Sequence, residues 1–231
     1  MQPHAYRWYT FVTAVFVTTL IVSNIIAVKL VQLGSLIVPA AVILFPLAYI
    51  FGDILTEVYG YARARQTIWI GFCCNLLVVI AIWIGGLLPS APFWTAGYDS
   101  PEHAQQAYQA ILGFTPRLLL ASFSAYIIGE FLNAFVLAKL KVRTGGRYLW
   151  LRTITSTLLG QAADSVVFIT IAFWGIIPPA GMFQAILSQW LFKVIFEIIA
   201  TPLTYLIVNR LKRAEKEDYF DRDTDFNPVR L

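Results

Sequence analysis

Apolar residues in this chain do not alternate with polar ones; they run on in long blocks. Six such blocks, residues 8–30, 36–58, 67–88, 116–140, 155–177 and 184–208, stand between polar connectors. Each is close to the ~20 residues needed to cross a ~30 Å hydrocarbon layer. Backbone polar groups in lipid must bond within their own segment, so the blocks are predicted as helices. Short connectors place them in one domain. The expected fold is an all-α integral membrane protein, a six-transmembrane-helix bundle. The first block is longer than the apolar core of a signal peptide and lacks a small-residue cleavage site, so a retained span is expected.

The interruptions are as informative as the runs. Pro39 and Pro46 fall inside the second block. Proline removes one helical hydrogen bond and clashes with the preceding turn, so a kink or a break is expected near Phe45-Pro46. In the long connector 89–115, Ser100-Pro101-Glu102 reads as a helix start, with Gly113 and Pro116 as the stop. The aromatics before it, Phe93, Trp94 and Tyr98, suit either an interface anchor or a lid. Residues 211–231 form a charged tail, expected to be partly disordered.

Composition sharpens the class. Hydrophobic residues make up 58% and charged residues 13%, against about 25% charged in soluble domains. That balance excludes a cytosolic enzyme, a disordered chain and a nucleic-acid binder. Placement of the basic residues sets orientation. With the amino terminus inside, the inner segments hold Arg7, then Arg63 and Arg65, then Lys141, Arg143, Arg147 and Arg152, then Arg210, Lys212 and the basic tail. Connectors 31–35, 89–115 and 178–183 contain no lysine or arginine. Both termini are therefore expected to be cytoplasmic.

Neither metal nor cofactor is expected. Cys73 and Cys74 are adjacent within an apolar run, and His4 and His103 are far apart. No Gly-x-x-x-x-Gly-Lys phosphate loop is present.

The candidate chemistry lies in five acids within the apolar blocks: Asp53, Glu57, Glu130, Asp164 and Glu197. An ionised side chain at the bilayer centre costs roughly 3 kcal/mol, so such groups normally face a bundle interior or a wet cavity. Their spacing fits helix faces. Asp53 and Glu57 are four apart, and Ser122, Tyr126, Glu130 and Asn133 step by four, four and three. Thr157, Gln161, Asp164 and Phe168 form a third stripe, and Gln189, Lys193, Glu197 and Thr201 a fourth. Asn24 adds an amide to the first block. Stripes of this kind pack most economically around a shared polar cavity. Lys193 is positioned to pair with Glu197 one turn along, which leaves four acids without a local basic partner. Lys29 and Arg117 are expected near the outer interface.

Carboxylates accept hydrogen bonds, amides give and accept them, and aromatic faces stack on flat rings. This set fits a small heteroaromatic base whose ring N–H and exocyclic amine meet one carboxylate. A proton or cation pathway would use the same acids.

Ordered motifs carry a resemblance. They are Ser23-Asn24; Phe45-Pro46; the run from Phe51 through Gly52-Asp53 and Thr56-Glu57 to Tyr59-Gly60, with Ala64-Arg65; and Pro116-Arg117 with Ala121-Ser122 and Tyr126. Next come Ser156-Thr157-Leu158, Gly160-Gln161, Asp164 and Phe173-Trp174, and finally Phe192-Lys193, Glu197 and Pro202. In order and spacing this resembles the queuosine precursor transporter family, the vitamin uptake transporters. The resemblance implies bacterial inner-membrane import of a 7-deazaguanine: 7-cyano-7-deazaguanine, 7-aminomethyl-7-deazaguanine or queuine, used for tRNA queuosine modification. It implies an architecture similar to the substrate-binding subunits of energy-coupling-factor transporters. It places Asn24, Asp53, Glu57, Gln161, Asp164, Lys193 and Glu197 at the site. Glu130 and Asn133 rest on the stripe argument, and Tyr126 and Phe168 are the expected stacking rings.

Two other readings stay open at this stage: a proton or cation conductor, and a binding subunit that needs a separate ATPase. An intramembrane enzyme is disfavoured, because the apolar blocks hold no histidine. Expected partners are the small-molecule base and membrane lipid, with no nucleic acid. The small-residue pair Gly85-Gly86 allows a homodimer.

Overall fold

The computed structural model describes residues 6–33, 36–113 and 116–230. Its elements in order are α1 (Tyr9–Ile26), a short antiparallel hairpin β1 (Leu30–Leu33) and β2 (Leu36–Pro39), a 3₁₀ turn (Ala40–Ile43), α2 (Phe45–Tyr59), α3 (Tyr61–Leu87), α4 (Pro101–Leu112), α5 (Pro116–Arg143), α6 (Leu149–Phe173) and α7 (Pro179–Glu215). Among the described residues, α1, α3, α5, α6 and α7 are long and apolar enough to cross a membrane.

The block at 36–58 is the exception to the expected uniform helices. Its first part is the hairpin and the 3₁₀ turn, and the helix begins only at Phe45, with Pro46 in its first turn. Proline is harmless there because the first-turn N–H has no helical partner anyway. The proline therefore starts a helix and does not bend one. α2 holds 15 residues, or about 22 Å at 1.5 Å per residue, shorter than the hydrocarbon layer. The expected α4 is present, with the Ser100 hydroxyl accepting the His103 N–H at 3.3 Å as amino-terminal cap.

The molecule turns the soluble pattern inside out. Large apolar side chains such as Leu77, Trp83, Phe183 and Ile199 face outward, while Asp53, Glu57, Asn133, Arg152 and Glu197 are buried. The outward residues are the surface a lipid phase solvates. The interior still holds an apolar nucleus, with Phe16, Ile54, Val58, Tyr59 and Ile68 packed together.

α5 and α6 approach most closely through two glycines. A Cβ built on Gly129 would stand 3.2 Å from the Gly160 carbonyl oxygen, and one on Gly160 would stand 2.9 Å from the Gly129 oxygen. Small residues let helix backbones meet where lipid supplies no hydrophobic drive for association. The other glycine pair, Gly85-Gly86, serves inside the chain. Gln105 Nε2 donates to the Gly86 carbonyl at 2.9 Å, and the Tyr108 hydroxyl donates to Ile82 at 3.2 Å. α4 packs against this face.

One end of the bundle gathers both ends of the described chain. Glu215 at the close of α7 accepts the Arg7 and Trp8 amides at 2.9 and 2.7 Å, capping α1. It also accepts the Tyr59 hydroxyl at 3.0 Å. The tail, expected to be partly disordered, is strapped across this end. Both Asp221 oxygens accept the Tyr61 amide at 3.1 Å, at the start of α3. Arg65 Nη1 donates to the carbonyls of Asp225 and Asn227 at 2.9 and 2.7 Å. Phe226 packs its ring 4.9 Å from Tyr61 and 5.3 Å from Phe135. Gly60, at φ +82°, makes the sharp α2–α3 turn that Tyr219 closes over. At the opposite end, Arg117 donates to the carbonyls of Ile171 and Trp174, which satisfies the last turn of α6.

Candidate functional site

The polar stripes meet in the middle of the bundle. Asp53 on α2 and Glu197 on α7 are buried to 1% and 0% exposure, and their carboxyls lie within hydrogen-bonding reach of each other. Asn133 on α5 donates its Nδ2 to Asp53 Oδ1 at 3.0 Å. Glu130, one turn before Asn133, lies over Gly52: a Cβ built there would be 3.4 Å from Glu130 Oε2. On α6, Asp164 takes an ion pair from Lys193 of α7, and this pair acts electrostatically on Glu130. Tyr49 of α2 feels the charge of Asp164, Glu130 and Glu197, and Tyr126 of α5 that of Glu130.

Local sequence explains the placement. Asp53 follows the Pro46 start by two turns, so it sits near the middle of the bundle. Glu197 shares its α7 face with Thr201, whose hydroxyl donates to the Glu197 carbonyl at 2.8 Å. Pro202 lies next to it inside the helix and cannot donate to the carbonyl four residues back. Asp164 comes close to α5 because Gly129 has no side chain: a Cβ there would be 2.8 Å from the Asp164 Cβ.

This cluster carries acceptor capacity that the described protein atoms do not use, as does Glu57 Oε2 elsewhere on α2. Asp53 Oδ2, Asn133 Oδ1, Gln161 Oε1 and both Glu197 oxygens are buried and make no hydrogen bond among the described residues. The same holds for the Ser23 and Ser165 hydroxyls. An unsatisfied buried polar group costs about 1–3 kcal/mol. Several on adjacent helices are costly for a structural core and suited to a polar guest. Carboxylate and amide oxygens together favour a donor-rich one.

The expected site residues divide into groups. Asp53, Glu130, Asn133, Asp164, Lys193 and Glu197 are brought together. Lys193 pairs across helices with Asp164, not with Glu197 along its own helix. Asn24 lies to one side, donating to Asn75 Oδ1 on α3 at 3.1 Å. Gln161 is buried on α6 with its oxygen unpaired. Tyr126 is engaged elsewhere, its hydroxyl donating to the Ile68 carbonyl at 3.1 Å. Phe168 packs edge-on against Phe173, with ring centres 6.5 Å apart.

Glu57 stands outside the cluster despite sharing a face with Asp53. Its Oε1 accepts Arg152 Nη2 and Lys212 Nζ, both at 2.7 Å, with Lys141 Nζ at 3.6 Å. Lys141 also donates to the Glu57 carbonyl at 2.5 Å and to Asp218 Oδ1 at 2.5 Å. This fully buried carboxylate therefore ties α2 to α5, α6, α7 and the tail at the basic end.

Sequence reasoning missed Asn75, Tyr49 and the three cations on Glu57. Thr67, Gly71 and Asn75 step by four through an apolar run and are all buried, a stripe that could have pointed to Asn75. Arg152 and Lys141 look like loop charges in the sequence but are each 1% exposed. Two grooves, of about 280 and 380 Å³, open along α3 and α4 beside Tyr108. Their walls are mainly apolar and carry none of the acids.

Comparison with known proteins places this architecture. Residues 39–207 match the family described as "Putative vitamin uptake transporter". The chain is 30% identical over 195 residues to the "Probable queuosine precursor transporter" of Bacillus subtilis (strain 168), covering 84% of this chain and 82% of the relative. It is 28% identical over 172 residues to the "Queuosine precursor transporter" of Escherichia coli (strain K12), covering 72% and 71%. A Haemophilus influenzae relative with the same kind of name is 27% identical over 167 residues, covering 71% and 65%. No solved structure matches the chain. Apolar spanning helices and transporter relatives together describe a multi-pass inner-membrane protein with a small-molecule substrate. The chain belongs to the vitamin uptake transporter family.

Proposed function

We propose that this protein imports a queuosine precursor, a 7-deazaguanine base, for tRNA modification, and that it is a carrier and not an enzyme. The observation that carries the reading is the buried Asp53–Asn133–Glu197 cluster with its unused acceptor atoms. A guanine-type edge presents a ring N–H beside an exocyclic amine, and one carboxylate accepts both. The Asn133 and Gln161 amides suit the remaining polar positions of the ring. Tyr126, Phe168 and Tyr49 are the candidate stacking rings. The relatives named as queuosine precursor transporters support the substrate class.

The basic end, with both ends of the described chain, is the cytoplasmic end, because short loops rich in Arg and Lys stay inside. In the described conformation the Glu57 cluster and the tail close that end. Import then requires those contacts to open after the base has entered from the other side, the alternating access of bundles with a midplane site. The architecture is proposed to be similar to that of the substrate-binding subunits of energy-coupling-factor transporters.

A binding titration tests the reading. The purified chain should gain thermal stability with 7-cyano-7-deazaguanine, 7-aminomethyl-7-deazaguanine or queuine, since only a ligand of the folded state stabilises it. No stabilisation by any of the three would overturn it.

A further inference from the structure

Two buried carboxyls facing each other raise a question that base recognition alone does not answer. Asp53 and Glu197 are within hydrogen-bonding reach, yet Glu197 Oε1 and Oε2 and Asp53 Oδ2 have no donor among the described residues. Carboxylates are acceptors only. The two satisfy each other only when one carries a proton that both oxygens share, because two adjacent like charges in a low-dielectric interior repel strongly.

The surroundings supply no alternative neutralisation. Charged groups acting on Asp53 are Glu197, Glu130 and Glu57, all acids. From α7 and α6, Lys193 and Asp164 face this region already paired with each other. Glu57 already holds Arg152 and Lys212 on its Oε1. Tyr49 is the remaining titratable neighbour from α2. Among the described residues, α1 and α3 add no charged group to those acting on Asp53. Asn133, 8% exposed, fixes Asp53 Oδ1 and leaves its own amide oxygen without a partner among the described residues.

We propose that the Asp53–Glu197 pair is a proton-binding site, and that import of the base is coupled to proton entry through it. This rests on the transport reading above. Open to the outside, the pair takes one proton from water and becomes a single shared anion. Its outward oxygens then accept the ring N–H and amine of the base. Once the basic end opens, the shared O–H breaks, the proton passes to water on that side, and the two carboxylates repel. The base loses its partner geometry and leaves. One proton enters with each base; no bond other than O–H is made or broken.

The test uses the full chain in liposomes loaded with a pH-sensitive dye, with radiolabelled queuine and 7-cyano-7-deazaguanine as probes. An acid-outside gradient should drive either base above its equilibrium level, and addition of base should acidify the lumen. A protonophore should abolish both effects. In Glu197→Gln, any flux that remains should no longer respond to the gradient. Binding without gradient stimulation, or accumulation driven by sodium instead, overturns the coupling and leaves transport standing. Gradient stimulation that survives in Glu197→Gln overturns the assignment to this pair. A wild-type chain that binds no base overturns the transport reading, and the coupling with it.

Discussion

Asn133 Nδ2 donates to Asp53 Oδ1 at 3.0 Å while the Asn133 amide oxygen and Asp53 Oδ2 make no hydrogen bond among the described residues. One bond thus holds two helices in register and leaves an acceptor on each. Removing either partner should act first on binding. Asp53→Ala should weaken base binding by at least tenfold, equivalent to about 1.4 kcal/mol, with the protein still reaching the membrane. Isothermal titration beside a membrane-fraction blot checks it; unchanged affinity counts against the cluster. Asp164→Ala should likewise lose uptake, because it also strips Lys193 of its partner.

Glu57 should behave differently. Its carboxylate neutralises Arg152 and Lys212 at 2.7 Å in a buried setting. Breaking a buried pair by removing one partner costs about 3–5 kcal/mol. Glu57→Gln should therefore lower the thermal unfolding midpoint markedly. A variant with native stability and lost binding would reverse this division of roles.

The α5–α6 glycines offer a steric test. A Cβ on Gly160 would lie 2.8 Å from the Asn133 Cβ. Gly160→Ala should cost roughly 1–3 kcal/mol by overpacking and weaken base binding by displacing Asn133. Gly145→Ala, with no atom within 4 Å of its Cβ position, is the control for a glycine outside the interface, although its φ of +56° adds backbone strain.

The strap carries a pH signature. Burial raises the Asp218 carboxyl, but hydrogen bonds from Lys141 and Lys212 outweigh it and hold its pKa below the ordinary value. A depressed carboxyl contributes stability above its unfolded pKa of about 3.9 and loses it as pH falls through the folded value. Asp221 has the opposite sign: burial lifts its pKa despite bonds from Thr224 and the Tyr61 amide. Its ionisation costs stability as pH rises through the ordinary value toward the raised one. Limited proteolysis of the tail against pH should show Asp218→Asn losing the acid-side release of the strap. Asp221→Asn should remove the opposing slope and weaken the cap on α3. Release of the tail that is indifferent to pH in the wild type would refute both.

The sequence by itself determined five of the apolar spanning helices, the polar stripes and the basic end, because these depend on local spacing. Apolar runs must become helices in lipid. Residues three and four apart must share a face. Ser100-Pro101 carries its own helix start, and α4 begins there. Periodicity runs along one helix, however, and says nothing about rotation, depth or neighbours. Only the tertiary structure decided that Glu57, on the same face as Asp53, meets Arg152 and Lys212 while Asp53 meets Asn133 and Glu197. It alone paired Lys193 with Asp164 and gave Gly85-Gly86 to α4. It also began α2 at Phe45 and laid the tail across the basic end. The physical reason is common to all of these. A buried charge takes whichever partner the packed helices bring within about 3 Å, and that choice is made by the whole bundle.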